Sequence, residues 1–205
     1  QAYERHYKRF DKTYHVQLQL ESIVLKGKSI PSGAGLVEAM FMAEVESMLL
    51  TAGHDLKAME GNVVLDVATG LENYTLLRGT EQAPKAGDMM IRDQRGIISS
   101  IVYGPDQRTQ IAPDTAEAVF TVYAPAGIAE GAIIDHLERI EHYARLMAPG
   151  TRRWAPTPAP AVAMCSICWY WTTGVIGSTH CTGIVPIPRP GPTAPSTCLA
   201  TKDRQ

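Results

Sequence analysis

Between Gly53 and Pro125 the chain passes through four short apolar stretches, each closed by Gly, Pro or Asp, and this rhythm limits the fold more than any other feature. The stretches are Val63-Val64-Leu65-Asp66-Val67, Asp88-Met89-Met90-Ile91-Arg92, Ile97-Ile98-Ser99-Ser100-Ile101-Val102-Tyr103 and Ala118-Val119-Phe120-Thr121-Val122-Tyr123. Runs of this length, rich in aliphatic and aromatic residues and bounded by turn formers, predict strands of a small sheet. The third run leads into Tyr103-Gly104-Pro105-Asp106-Gln107-Arg108-Thr109, a polar loop at the place where a rigid scaffold would hold functional side chains. That spacing locates a site without naming a reaction.

Helical patterns stand on both sides of the strand region. Tyr3, Tyr7, Phe10 and Tyr14 recur every three or four residues, with Lys8, Arg9 and Lys12 between them. The pattern suits an amphipathic helix docked on the domain; the alternative is an aromatic and basic surface for a nucleic acid. From Gln17 to Gly27 the apolar positions fit a helix stopped by Gly27, while the alternation from Val16 to Leu20 fits a strand. Ile30-Pro31-Ser32-Gly33 reads as a turn before a helix whose stripe is Leu36, Val37, Met40, Phe41, Met48 and Leu49. Ser32 is its expected cap and Gly53 its expected stop. A second helix spans Ala129 to Met147, with Ile133, Ile134, Leu137, Ile140, Ala144 and Met147 on its apolar side and Arg139, Glu141 and Arg145 opposite. Helices, then a mostly antiparallel sheet, then a closing helix predict an α+β fold with the sheet packed against helices.

At 205 residues and 45% hydrophobic content the chain suits one domain with an appendage. Composition changes abruptly at Arg152: the remainder holds eight of the fourteen prolines and all four cysteines. Residues 1–150 are therefore expected to form the domain. Residues 151–205 are expected to be a low-complexity tail, disordered or outside the native reading frame. Cys165 and Cys168 have zinc-ligand spacing, but His180-Cys181 is not a matching spaced pair, so no metal and no cofactor are expected. The net charge of −2 provides no overall attraction for nucleic acid, so an RNA partner would need a local basic patch. No stretch reaches the ~18 apolar residues of a membrane span. A cytoplasmic protein with no membrane partner is the expectation, and the oligomeric state stays open.

Several motifs occur in a specific order. Ala2-Tyr3 is followed by Tyr7-Lys8-Arg9-Phe10, Leu25-Lys26-Gly27-Lys28-Ser29-Ile30-Pro31 and Leu36-Val37-Glu38. Asp55-Leu56 through Glu60-Gly61 then precedes Ala68-Thr69-Gly70-Leu71-Glu72, Arg108-Thr109 and Thr115. In this order, from about Ala2 to Pro149, the chain resembles the tRNA-editing domain of the phenylalanyl-tRNA synthetase beta subunit, and especially its free-standing relatives. The resemblance implies the same fold and recognition of aminoacyl-tRNA, or a related aminoacyl ester, with hydrolytic editing in trans. The chain departs from the family at three places. Phe41 stands where the helix often carries Asn, Ala52 stands at the editing His, and the acidic residue of the Gly-Gly-Glu loop falls near Pro105.

Ester hydrolysis needs a positioned water, polar groups to orient it and a stabilised oxyanion. The candidates are His54 as proton shuttle, Arg108 as receiver of an oxyanion or phosphate, and Asp106 and Thr109 beside them. Asp55, Tyr74, Tyr103, Gly104 and Tyr123 are the candidate substrate-binding residues, in a pocket where the Gly53–Asp55 turn meets the Gly104–Thr109 loop. The competing reading makes His54 and Asp55 turn or capping residues and pairs Arg108 with Asp106 or Asp114. The functional alternatives are a non-catalytic module for an amino acid or tRNA, and a small-molecule enzyme using Asp66, Asp93 and Asp106.

Overall fold

The aromatic repeat at the start of the chain is core. In the computed structural model, which describes residues 1–30, 32–154, 168–172, 181–186 and 198–202, helix α1 spans Ala2–Lys8 and a turn carries the chain to Tyr14. Tyr3, Tyr7, Phe10 and Tyr14 are all buried, and Tyr3 stacks on Tyr14 with ring centroids 4.3 Å apart. Their hydroxyls reach backbone acceptors: Tyr3 to the Tyr123 carbonyl at 2.5 Å, Tyr7 to that of Ile101 at 2.5 Å and Tyr14 to that of Met48 at 2.9 Å. A buried phenol that finds an acceptor adds its apolar body to the core without a desolvation penalty. The aromatic face is thus unavailable for a nucleic acid.

Helix α2 is His15–Lys26, and Gly27 ends it at φ 62°, the left-handed conformation that favours glycine. The strand suggested by the alternation at Val16–Leu20 does not form. Helix α3 is Gly35–Ser47. Its N-cap is Ala34 rather than Ser32, and its C-terminal stop is Met48 at φ 58°, not Gly53. Gly53 lies instead inside strand β1, Thr51–Asp55. A Cβ on Gly53 would meet Ile111 Cδ1 at 2.8 Å and Phe120 Cε1 at 3.0 Å, so close approach explains the glycine here.

Strands β2 (Val63–Val67), β3 (Tyr74–Thr75), β4 (Glu81–Gln82), β5 (Met89–Asp93), β6 (Gly96–Ser100), β7 (Gly104–Pro105) and β8 (Glu117–Val122) follow, then helix α4, Glu130–Met147. Every pairing is antiparallel: β1 with β8, β2 with β5, β5 with β6, β6 with β7 and β3 with β4. The fold is α+β, with α3 and α4 packed on each other and reaching β1 and β8. Ile133, Leu137 and Ile140 of α4 join Phe120, Val122 and Ile98 in one core. Met147, assigned by its spacing to the apolar stripe of α4, is 42% exposed.

Past Thr151, the described segments β9 (Arg152–Trp154), β10 (Cys168–Thr172), β11 (Cys181–Pro186) and β12 (Cys198–Lys202) add to the sheets of the preceding residues. β10 pairs with β8 and with β9, and β12 pairs with β2 and with β11. Cys165 and His180 lie outside the described residues. Among the described residues no helix is long and apolar enough to cross a membrane.

Candidate functional site

The loop after β7 folds back on β1 and brings four of the candidate residues together. The Asp55 N–H donates to the Thr109 carbonyl at 2.8 Å, which sets the loop alongside the strand. Asp106 Oδ1 accepts from the Thr109 N–H at 3.0 Å and also from the Thr109 hydroxyl. With that proton committed, the 2.7 Å contact between His54 Nδ1 and Thr109 Oγ1 has Nδ1 as donor. Nε2 of His54 is then an acceptor, and it is buried without a protein partner. Burial, helped by the Arg108 charge, depresses the His54 pKa to about 4, so the ring is neutral at pH 7.

Arg108 is equally committed. Its guanidinium donates to the Ala58 carbonyl at 2.6 Å and to Asp93 Oδ1 at 2.9 Å, and its Nε lies 3.6 Å from Asp106 Oδ2. Asp93 is buried and takes two further donors, the N–H groups of Glu60 and Arg95, each at 2.9 Å. Burial raises the Asp106 pKa, while its hydrogen bonds from Thr109 and the Arg108 charge pull it down. Asp55 accepts from the Lys57 N–H and the Thr115 hydroxyl, both at 2.8 Å, and so caps the short 3-10 turn Leu56–Ala58. His54, Asp106, Thr109 and Arg108 form one connected network, and its groups hold one another. Asp66 pairs with Arg92 at 3.0 Å, apart from Asp93 and Asp106, and among the described residues no group of three His, Cys, Asp or Glu is placed to hold a metal.

The cavity of this region, about 390 Å³, lies beside that network, and His54, Asp106, Arg108 and Thr109 are not part of its wall. Its size suits a small-molecule ligand. Val37, Met40 and Phe41 of α3 give it an apolar side, and Ala52 and Gly53 of β1 another. Gly104 and Pro105, with Gln110 and Ile111 beyond the polar loop, form another part of its wall. Leu77, from the β3–β4 hairpin, and Gln110 are exposed at the rim. Of the candidate binding residues, Gly104 and Tyr123 line the cavity. Tyr74 supports it from outside, donating its one proton to the Gly104 carbonyl at 2.8 Å with its oxygen 3.3 Å from Ser100 Oγ; burial lifts its pKa to about 12. Tyr103 and Asp55 are not in the wall.

Besides Tyr123, polar groups that were not among the candidates face the cavity. Glu44 lines it while being 2% exposed. One of its oxygens accepts from the Thr51 N–H at 2.6 Å, and no basic group forms an ion pair with it among the described residues. Burial pushes its pKa up to about 8, against which the Thr51 hydrogen bond works only partly. Gln19, on α2, also lines the cavity, and its amide oxygen is buried without a partner. Behind Thr51 lies His136: Ser47 donates its proton to the Ala43 carbonyl, so His136 Nδ1 donates to Ser47 at 2.7 Å and Nε2 accepts from the Thr51 hydroxyl at 2.5 Å. Burial lowers the His136 pKa to about 4. The signal for Glu44 is present in the chain, because it follows Met40 and precedes Met48 by four residues, a charge on an apolar helix face. Geometry alone identifies this cavity: no protein-family model matches the chain, and no curated protein matches it significantly.

Proposed function

We propose that the chain recognises an aminoacyl group in this cavity, presented on tRNA or as a small molecule, without hydrolysing it through the loop network. One observation carries the reading. The likeness to the editing domain puts an Asn at Phe41, a His at Ala52 and an acidic residue near Pro105, and these three come from a helix and two strands. All three line the same cavity. That these positions, far apart in the chain, share one cavity supports the reading that the likeness extends to a ligand site. Their apolar replacements keep the cavity suited to holding an acyl group while removing side chains that would orient a hydrolytic water. Of the polar residues left nearby, His54 turns its Nδ1 to Thr109 and Arg108 turns its guanidinium to Asp93, Asp106 and the Ala58 carbonyl, and neither lines the cavity. As an RNA-binding partner of charged tRNA the protein belongs in the cytoplasm.

The test uses tyrosyl and phenylalanyl groups joined to phenylalanine tRNA through a non-hydrolysable amide, compared with the uncharged tRNA. The charged forms are expected to bind at least tenfold more tightly, about 1.4 kcal/mol. Ester-linked Tyr-tRNA is expected to lose its amino acid no faster than in buffer. Equal binding of charged and uncharged tRNA removes the aminoacyl reading. Rapid deacylation that Arg108→Ala abolishes restores the hydrolase.

A further inference from the structure

The cavity is selective in charge. Its wall contains one carboxylate, Glu44, and no lysine or arginine among the described residues. Its histidine, His15, is kept from protonation by burial and by the nearby Lys12 charge. Two acceptors with unused capacity in its wall are a Glu44 oxygen and the Gln19 amide oxygen, from α3 and α2. A buried carboxylate with one hydrogen bond and no cation is a costly arrangement for a chain to carry. A ligand that brings a cation to it relieves that cost.

We propose that Glu44 anchors the ammonium group of the ligand, so that the cavity takes apolar amines whose carboxyl group is absent or esterified and turns away free amino acids. This rests on the reading that the cavity holds an aminoacyl group, and it specifies which form. An ammonium ion has three N–H donors, and Glu44 and Gln19 supply acceptors for them. The carboxylate of a free amino acid would enter an apolar cavity whose wall, among the described residues, holds no lysine or arginine to meet it, and its desolvation would go largely uncompensated. An ester or amide removes that charge.

Binding is coupled to a proton. Tyr3 and Tyr7 of α1, Tyr14 and His15 at the start of α2, and His136 of α4 beyond Thr51 are titratable groups around Glu44, and Tyr123 lines the same cavity. Tyr3, Tyr7 and Tyr14 are held protonated by burial and both histidines are held neutral, so none neutralises the carboxylate. In the empty cavity at pH 7 burial keeps Glu44 largely as the acid. When an ammonium ion docks, the acid loses its proton to solvent and an ion pair forms: one O–H bond breaks, one proton leaves, and no other bond changes.

Calorimetry on the full chain at pH 7 tests this with phenethylamine, L-phenylalaninamide and L-phenylalanine. The two amines are expected to bind at least tenfold more tightly than the free amino acid. The phenethylamine heat should differ between phosphate and Tris by the ionisation heat of close to one proton, and that of L-phenylalaninamide, whose amine is partly neutral at pH 7, by less. Glu44→Gln, which keeps the acceptor for the Thr51 N–H, is expected to weaken the amines at least tenfold and to remove the buffer dependence. Equal affinity for phenylalanine and its amide, or heats independent of buffer, overturns the proposal, and these wild-type measurements decide it even if the variant does not fold. Binding of amide-linked aminoacyl-tRNA that Glu44→Gln leaves unchanged also overturns the anchor while the aminoacyl reading stands. Amine binding with proton release but no binding of charged tRNA supports the anchor and removes tRNA as the carrier. No binding of any of these probes defeats both.

Discussion

Arg108→Ala separates a structural arginine from a functional one. The guanidinium bridges the Ala58 carbonyl, Asp93 and Asp106, and its side chain is 22% exposed against 0% for that of Asp93. Removing it leaves a buried carboxylate without its charge partner, a change that generally costs about 3–5 kcal/mol. Asp93 keeps the Glu60 and Arg95 N–H donors, and water can reach the space vacated by a partly exposed side chain. Both effects place the expected loss near the lower end, about 3 kcal/mol. In urea, with a slope of about 1–3 kcal/mol/M, the midpoint should fall by roughly 1–3 M with the slope unchanged. Arg108→Lys should recover only part of this, because an ammonium cannot reproduce the fork that spans Asp93 and Ala58. Amine affinity should persist under conditions where the variant is folded. An unchanged urea midpoint together with lost binding would refute the reasoning and return Arg108 to the site.

Stability should peak near pH 6.5. His54 and His136, both with folded pKa values of about 4, take up protons on unfolding between pH 4 and 6.5, so each adds stability as pH rises through that window. Glu44, raised from 4.5 to about 8, does the reverse and removes stability as pH rises from 4.5 to 8. Two rising contributions against one falling leave a net gain up to pH 6.5 and a loss of at most about 1.4 kcal/mol per pH unit beyond it. Thermal melts across pH 4–8 check the peak, and Glu44→Gln should flatten the alkaline side. Gly53→Ala should cost about 1–3 kcal/mol by overpacking, since Ile111 and Met40 can swing their tips away but the buried Phe120 ring cannot; a melting temperature equal to wild type would contradict this. A chain ending at Gly150 should still melt cooperatively, because the core residues among those described lie before that point; an insoluble or non-cooperative product would contradict it.

Where periodicity and burial coincide, the chain could be read directly. Val63–Val67 is a strand over the predicted residues, and Ile133, Leu137, Ile140 and Ala144 face the core as their spacing predicts. Strand β1 was hidden, because Thr-Ala-Gly-His-Asp has no alternation and its Gly and Asp are turn formers. What makes it a strand is its pairing with β8, Gly53 opposite Phe120 and His54 opposite Val119, a contact between residues far apart in the chain. The site was half legible for the same reason. Loop chemistry drew attention to Asp106, Arg108 and Thr109, whose local spacing is conspicuous but whose partners, Asp93 and His54, turn them inward. Glu44 and Gln19 are separated from the loop by helices, and only tertiary packing brings them to the cavity that the loop borders. Ala52 and Phe41 looked like losses in the sequence; as lining residues they are part of the cavity's apolar character.

The hydroxyl contacts of the first helix have a consequence for the order in which the molecule can assemble. Tyr3 bonds to residues 50 and 123 and Tyr7 to residue 101, and Leu50, Ile101 and Tyr123 are all in the cavity wall. These partners leave the ribosome long after the tyrosines do, one of them 120 residues later. Helix α1 therefore has nowhere to dock until β8 has been synthesised, and the wall has no fixed shape until α1 docks. Such distant closures make for slow, concerted folding rather than stepwise growth from the N-terminus. The cavity should accordingly be among the last features to form during synthesis and among the first to loosen when the opening helix is displaced.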